Sequence, residues 1–273
     1  MLHFVYTTDL HGDIIKYENV FNFAVEHNLK LIHLGADLLP KGSCMLENQK
    51  DFINKYLKGF YRRCNEKGIK VLAFFGNDDV WSRKKYFKKY AELLDEVPYE
   101  QDGYEFKAYG YVQDYPFGLK TACKLDHKGW VCPDPYISTP VDLSPTGGLQ
   151  AIKGDIAEYF RKKGTIEGDL KKISVTNKTI MAIHQPPWAV DLDVCRDGRR
   201  VGSKAVYDWI LKNPCIRLVL CGHIHESYEV TGAWKTCIGK TIVINPGQRT
   251  NVTVLALIEV ASDIDAQMIT IPH

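Results

Sequence analysis

Apolar and polar positions along this chain fall into blocks that switch between two periods. Short, almost wholly apolar runs at Leu2–Tyr6, Leu31–Leu34, Ile69–Phe75, Thr179–Ile183, Leu218–Cys221, Thr241–Ile244 and Val252–Val260 have the length and β-branched content of buried strands. Among the first three, apolar residues recur at helical spacing. Val20, Phe21, Ala24 and Val25 mark a helix near Tyr17–Asn28, and Phe52, Tyr56, Leu57 and Phe60 mark a longer one near Leu46–Lys67, stopped by Gly68. A basic amphipathic helix is expected near Arg83–Leu94, and further helices near Ile152–Lys163 and Ser203–Lys212. Glu105–Val112 reads as a strand and Ala266–Ile271 as a final edge strand. The strand–helix–strand–helix–strand order of the first 95 residues predicts a parallel, layered α/β sheet with helical cover.

The middle of the chain breaks this rhythm. Residues 113–150 are rich in Pro, Gly, Asp and aromatics, and Tyr115, Phe117, Trp130 and Tyr136 carry too much apolar surface to leave in water. We read the whole chain, 1–273, as a single domain with an irregular, compact insertion at about 113–150. That insertion is placed either over the cleft or on the surface as a flap.

Composition narrows the class without naming a partner. With 45% hydrophobic and 25% charged residues the chain is ordinary for a globular protein. Its net charge of +2 does not point to nucleic acid, and Arg83-Lys84-Lys85 and Arg161-Lys162-Lys163 read as solvated helix faces. No apolar run approaches the 18 residues of a membrane span, and no leader is expected ahead of the first strand. Eight cysteines without a CxxC pair fit a reducing cytoplasm. The oligomeric state is left open.

The chemistry lies at the strand exits. Four runs follow apolar strands in order: Asp9-Leu10-His11-Gly12, Gly35-Ala36-Asp37, Gly76-Asn77-Asp78-Asp79 and Gly222-His223-Ile224-His225, with His184 between the last two. Strands ending in such ligands can gather them at one sheet edge. Extended backbone would point Asp9 and His11 to the same side, and likewise His223 and His225. Asp9, His11, Asp37, Asn77, His184, His223 and His225 suffice for two divalent cations sharing one carboxylate, with Asp37 as the natural bridge. The mixed oxygen and imidazole set suits a transition metal, manganese first, with iron, zinc, nickel or cobalt as alternatives, rather than calcium or magnesium. His3, His27, His33, His127 and His273 lack this context and are read as ordinary structural histidines.

The order DxHG … GxD … GNxD … H … GHxH resembles the calcineurin-like metallophosphoesterase superfamily over residues 9–225, and Asn245-Pro246-Gly247 is similar to that family's NPG turn. Cys221–Ser227 and the His184-Gln185-Pro186-Pro187 start look closest to prokaryotic phosphoesterases similar to cyclic-nucleotide phosphodiesterases. The resemblance implies a four-layer α/β/β/α sandwich of two mixed β-sheets flanked by helices. It also implies one metal on Asp9, His11 and His225, another on Asn77, His184 and His223, and Asp37 between them. Asp37, Asn77, Asp78 and His184 are then the catalytic candidates.

The implied activity is hydrolysis of a small phosphoester, a diester (nucleotide-type esters among them) before a monoester, through a dinuclear centre and a bridging hydroxide. Two departures stand out: the extra Ala36 before Asp37, small enough for Asp37 still to reach the site, and Asp78 where many members carry a histidine that protonates the leaving group. Cations beside Asp78 should lower its pKa, leaving it a poor proton donor. Asp79 would orient a ligand histidine. Gln185, Trp188, Asn245, Gln248, Arg196, Arg199 and Arg200 are candidates for substrate contact. The alternative is a catalytically weak or silent scaffold of the same fold that binds a protein partner. A nuclease is disfavoured by the small charge, and a protein phosphatase because basic residues near the metal motifs are not evident.

Overall fold

The computed structural model describes residues 1–42, 44–94, 96–115, 117–132, 139–144 and 148–273. Tyr136 and its neighbours 133–138 lie outside the described residues.

The apolar runs form the strands expected of them. β1 (Leu2–Thr7), β2 (Leu31–Leu34), β3 (Lys70–Ala73) and the short β4 (Glu92–Leu93) run parallel to one another. β5 (Tyr99–Gln101) and β6 (Tyr104–Tyr109) form a hairpin that opens the second sheet. Two small pairs follow, β7 (Val112–Gln113) with β8 (Cys123–Lys124) and β9 (Val141–Leu143) with β10 (Leu149–Ala151). β11 (Thr179–Ile183), β12 (Leu218–Leu220), β13 (Lys235–Ile238) and β14 (Thr241–Ile244) complete the second sheet, and β15 (Val252–Val260) and β16 (Ile264–Pro272) return to the first. The sheet orders are β16-β15-β1-β2-β3-β4 and β13-β14-β12-β11-β6-β5. Both sheets are mixed: β15 is antiparallel to β1, whereas β11 is parallel to β6 and β12.

Three apolar layers hold the sandwich together. Leu2, Phe4, Tyr6, Leu72 and Phe74 of the first sheet meet Phe106, Ile180, Leu218 and Ile244 of the second. The outer face of the first sheet packs on α1 (Ile14–Glu26), α2 (Met45–Phe52) and α3 (Lys58–Glu66) through Tyr17, Val20, Phe52 and Phe60. Further along lie α4 (Lys84–Phe87), α5 (Ile156–Lys163), α6 (Ile166–Leu170), α7 (Lys204–Lys212) and α8 (Ser227–Thr231), of which α6 and α7 cover the second sheet through Leu170, Val206, Trp209 and Ile210. The layer order is α/β/β/α, and each layer's apolar faces are the ones the two periods mark.

Several expected elements differ. The helix near Arg83–Leu94 shrinks to a 3-10 turn, Trp81–Arg83, and α4, before the chain enters β4. Like charges four apart (Lys84 with Lys88, Lys85 with Lys89) weaken a longer helix, while Leu93 and Leu94 are buried through the sheet. The long helix over Leu46–Lys67 is present, but a π-helical stretch, Ile53–Leu57, separates α2 from α3. α5 starts at Ile156 rather than Ile152 because the Asp155 side chain caps it. The strand expected over Glu105–Val112 ends at Tyr109, since Gly110 lies where a Cβ would meet the Phe75 carbonyl oxygen at 1.9 Å. Within the insertion, Val112, Cys123 and Phe160 form a small core of their own.

Candidate metal centre

β1, β2 and β3 are parallel neighbours, and so are β11 and β12, so the turns after them lie at the carboxyl edges of the two sheets. Asp9, Asp37 and Asn77 follow the first three, and His184 and His223 the other two. Ligand sites in open α/β sheets form at such edges.

The local backbone is not the extended form expected from the i, i+2 spacing. Asp9, His11, Asp37 and His223 have φ of 56°, 45°, 53° and 68°. A left-handed residue other than glycine costs about 1–2 kcal/mol, and such costs gather where function demands a geometry. Hydrogen bonds over-determine the turn: Asp9 N donates to Ala36 O at 2.9 Å, His11 N to Asp37 O at 3.0 Å and Gly12 N to Leu38 O at 2.9 Å. The inserted Ala36 is buried in this ladder, and the left-handed Asp37 beyond it turns its carboxylate inward.

All seven side chains converge. Asp9 Oδ1 lies 3.2 Å from His225 Nε2, and His11 Nε2 lies 3.2 Å from the same atom. Asp37 Oδ2 is 3.2 Å from His184 Nε2, which is 3.0 Å from Asn77 Oδ1. The His184 and His223 rings stand 5.0 Å apart. Ligand atoms of Asp9, His11 and His225 lie within 4.8 Å of one another, as do those of Asp37, His184 and His223. A further such group joins His11 of the first set to Asp37 of the second, with Asp78.

Backbone amides fix the carboxylates. His223 N donates to both Asp9 oxygens at 3.2 and 3.1 Å, and Asp78 N donates to Asp37 Oδ1 at 2.8 Å. Glycine is required where the turns touch. A Cβ on Gly76 would sit 2.3 Å from Asp37 Oδ1 and 2.8 Å from His184 Nε2, and one on Gly222 would sit 2.5 Å from Asp9 Oδ2. Asp79 does not orient a histidine: its carboxylate accepts from the amides of Leu38, Leu39 and Gly76, tying the β2 turn to the β3 turn.

Burial and the neighbouring carboxylates pull the imidazoles in opposite directions. Burial pushes His223 down to about 3 and His11 down to about 4, so both imidazoles are neutral with lone pairs available. Burial also opposes the charged form of His184, but Asp37, Asp9 and Asp79 outweigh it and hold the ring at about 9. In the protein alone, burial first and then the Asp37 charge push Asp78 up to about 7. His11 Nδ1 and His184 Nδ1 are buried without a hydrogen-bond partner. Two ring nitrogens facing each other at 3.2 Å are poorly served by protein contacts alone, and a cation between their lone pairs serves them better. The mixed carboxylate, amide and imidazole set fits divalent transition metals.

The expected substrate contacts mostly belong to the framework. Gln185 Nε2 donates to Val201 O at 2.7 Å, and its Oε1 accepts from Gln113 N. Asn245 Nδ2 donates to Leu192 O, and Gln248 Nε2 to Thr7 Oγ1 and Val254 O. Arg196 pairs with Glu229, Arg199 with Asp197, and Arg200 with Asp191 and Asp193. Trp188 remains 46% exposed.

Three side chains beside the centre escaped the motif reading. Lys41 Nζ reaches to 3.4 Å from His11 Nε2 and 3.9 Å from Asp78 Oδ2, so a basic residue does stand next to the motifs. Phe117, in the aromatic insertion, sets its ring 6.4 Å from that of His223. Gln49 is fully buried and bonds Pro40 O, Asp78 O and Val80 N. Lys41 follows the Asp37 motif by four residues, a signal that was available; Phe117 and Gln49 carry none.

Comparison with known proteins agrees with this fold. The family model described as calcineurin-like phosphoesterase matches residues 2–227. Among solved structures the chain is similar to TT1561 of Thermus thermophilus, at 16% identity and a TM-score of 0.56 over 97% of this chain and 98% of that one. It is also similar to a dimetal phosphatase from Danio rerio, at 10% identity and a TM-score of 0.52 over 99% and 98%. No match was found among curated proteins. At these identities the solved structures speak for the fold, while the family match spans most of the chain. This protein belongs to the calcineurin-like phosphoesterase family, whose members depend on metal.

Proposed function

We propose that the chain hydrolyses a phosphodiester at this centre, with Asp9, His11 and His225 holding one divalent cation, Asn77, His184 and His223 another, and Asp37 shared between them. The observation that carries the proposal is the pair of ligand groups, Asp9–His11–His225 and Asp37–His184–His223, each drawn within 4.8 Å from separate strand exits. Manganese is the first candidate, with iron, zinc, nickel or cobalt also matching the donors. Bound there, such a pair lowers the pKa of a water and neutralises phosphoryl oxygens.

The chain's own groups supply the rest. Asn77 contributes a neutral oxygen and limits negative charge. The amides of His223 and Asp78 orient the Asp9 and Asp37 carboxylates before any ligand arrives, so no reorganisation is needed on binding. Lys41, half exposed at the rim, can meet a phosphoryl oxygen. Asp78 supports a diester over a monoester, because the negative charge it would carry beside bound cations repels a dianion more than a monoanion. With Asp rather than His at 78, esters whose leaving groups need little protonation are favoured. Eight cysteines without a CxxC pair support a reducing compartment, and no helix among the described residues is long and apolar enough to cross a membrane.

The test is hydrolysis of bis-nitrophenyl phosphate and nitrophenyl phosphate by manganese-loaded protein. Turnover faster on the diester, and abolished by Asp37→Ala and His184→Ala, is expected. No hydrolysis with metal verified in the protein would overturn the proposal and leave the silent scaffold. Faster turnover of the monoester would overturn the diester preference alone.

A further inference from the structure

A cavity of about 450 Å³ is lined by Tyr115, His127, Trp130, Trp188, Arg199 and Arg200 among others. That volume is within the usual range for a small-molecule site, roughly 300–1,000 Å³. Four of its lining residues carry rings. Trp130 stands edge-on to both Tyr115 and His127, with centroids 6.1 and 5.9 Å away, and Trp188 leaves about half its surface in water.

The two arginines do not present free charge. Arg200 is held by Asp191 at 2.6 Å and by the fully buried Asp193 at 3.2 Å, and Arg199 by Asp197 at 2.7 Å. Asp193 is in turn fixed by the amides of Ala189 and Gly202. Guanidinium groups pinned by carboxylates offer flat faces, which stack on rings, more than they offer a cation.

The cavity and the centre share their framework. Gln185, the residue after His184, donates to Val201 O, and Gln113 donates to Val201 O and Gly202 O at 2.7 and 3.1 Å. Val201 and Gly202 line the cavity. From Gln113 the chain passes Tyr115, in the cavity wall, to Phe117, whose ring meets His223. Tyr115 and Phe117, two positions apart in sequence, therefore border one place each.

We propose that this cavity is a subsite for a planar aromatic ring of the substrate, a nucleobase or an aryl group, whose phosphoryl end lies in the metal centre. The inference rests on the phosphodiesterase reading for the second half of that sentence only. Trp188, Tyr115 and Trp130 supply the stacking faces, and the pinned arginines supply flat edges to the same ring.

The test separates the two readings. Adenosine and 4-nitrophenol, neither carrying phosphate, are titrated calorimetrically into the full-length protein. Binding of at least one is expected, and the stronger of the two identifies the ring as base or aryl. Trp188→Ala should weaken it about ten-fold or more, as loss of a stacking face does; Trp188→Phe should restore most of the affinity, and Asp37→Ala should leave it unchanged. With manganese bound, the ratio of kcat/KM for thymidine nitrophenyl phosphate to that for methyl nitrophenyl phosphate should fall about ten-fold in Trp188→Ala. Failure of both ring compounds to bind overturns the subsite, as does equal binding by Trp188→Ala and Tyr115→Ala. Ring binding that is lost in Trp188→Ala, in a protein that hydrolyses neither ester, would keep the subsite and sink the phosphodiesterase reading.

Discussion

The side-chain amide of Gln49 donates to the backbone carbonyl of Asp78 at 2.7 Å, from a helix that follows the Asp37 turn to a turn that follows β3. The same side chain donates to Pro40 O and accepts from Val80 N, at 3.1 and 2.8 Å, with no exposure to water. One buried glutamine thus couples the segment leading to Lys41 to the segment bearing Asn77 and Asp78. Replacing Gln49 by Leu strands a buried donor and two carbonyls. At about 1–3 kcal/mol for each unsatisfied group, a loss of at least about 2 kcal/mol is expected. Thermal melting should fall by roughly 5 °C, and an unchanged melt would mean the bridge is dispensable.

Gly76→Ala should damage the centre more than the fold. The added methyl meets Asp37 Oδ1, His184 Nε2 and Ala36 Cβ at 2.3, 2.8 and 2.9 Å, and none of these can retreat without opening the ligand set. Manganese affinity, followed by titration, should drop about ten-fold or more, since displaced ligand carriers cost that much. Retained affinity in a folded variant would show the turn to be softer than its contacts imply.

Lys41→Met removes an ammonium that lies beside His11 and Asp78 but is not itself a metal-type ligand. Metal content should be unchanged. KM for phosphoesters should rise about ten-fold or more, because a charge-assisted contact is worth about 1.5–3 kcal/mol. The comparison of KM with kcat decides it: a fall in kcat alone would place Lys41 in the chemistry instead of in binding.

His33 makes acid sensitivity predictable. Its ring is fully buried on β2 among Phe4, Tyr6, Phe74 and Phe106, and neither nitrogen has a partner. Burial pushes its pKa from 6.5 down to about 3. The unfolded chain therefore binds the proton first as pH falls. Stability is full above pH 6.5 and declines toward pH 3, by about 1.4 kcal/mol per unit. In urea unfolding, His33→Leu should gain on the parent protein by about 2 kcal/mol between pH 7 and pH 5. A constant difference across that range would rule out His33 as the source.

Much of this was written locally. The runs Thr179–Ile183, Thr241–Ile244 and Val252–Val260 are strands with the bounds their apolar pattern sets, because burial on both faces of a sandwich demands unbroken apolar side chains. The spaced Asp, Asn and His residues and their glycines named the chemistry, since few purposes call for such donors at five strand exits. The sequence could also say that Ala36 was small enough to be absorbed.

Tertiary structure decided the rest, through contacts between residues far apart in the chain. The left-handed backbone at Asp9, His11, Asp37 and His223 is imposed by hydrogen bonds between neighbouring turns, which no i, i+2 rule contains. Asp79 serves backbone amides rather than a histidine, and Gln185, Asn245 and Gln248 were absorbed by the framework, because a buried amide bonds whatever carbonyl the fold brings to it. Phe117 reaches His223 across 106 positions of sequence, and the cavity that Tyr115, Trp130 and Trp188 line is assembled from segments near 115, 130, 188 and 200. Residue type is a local property and can be read along the chain; the company a side chain keeps is set by packing, and only the folded molecule holds that information.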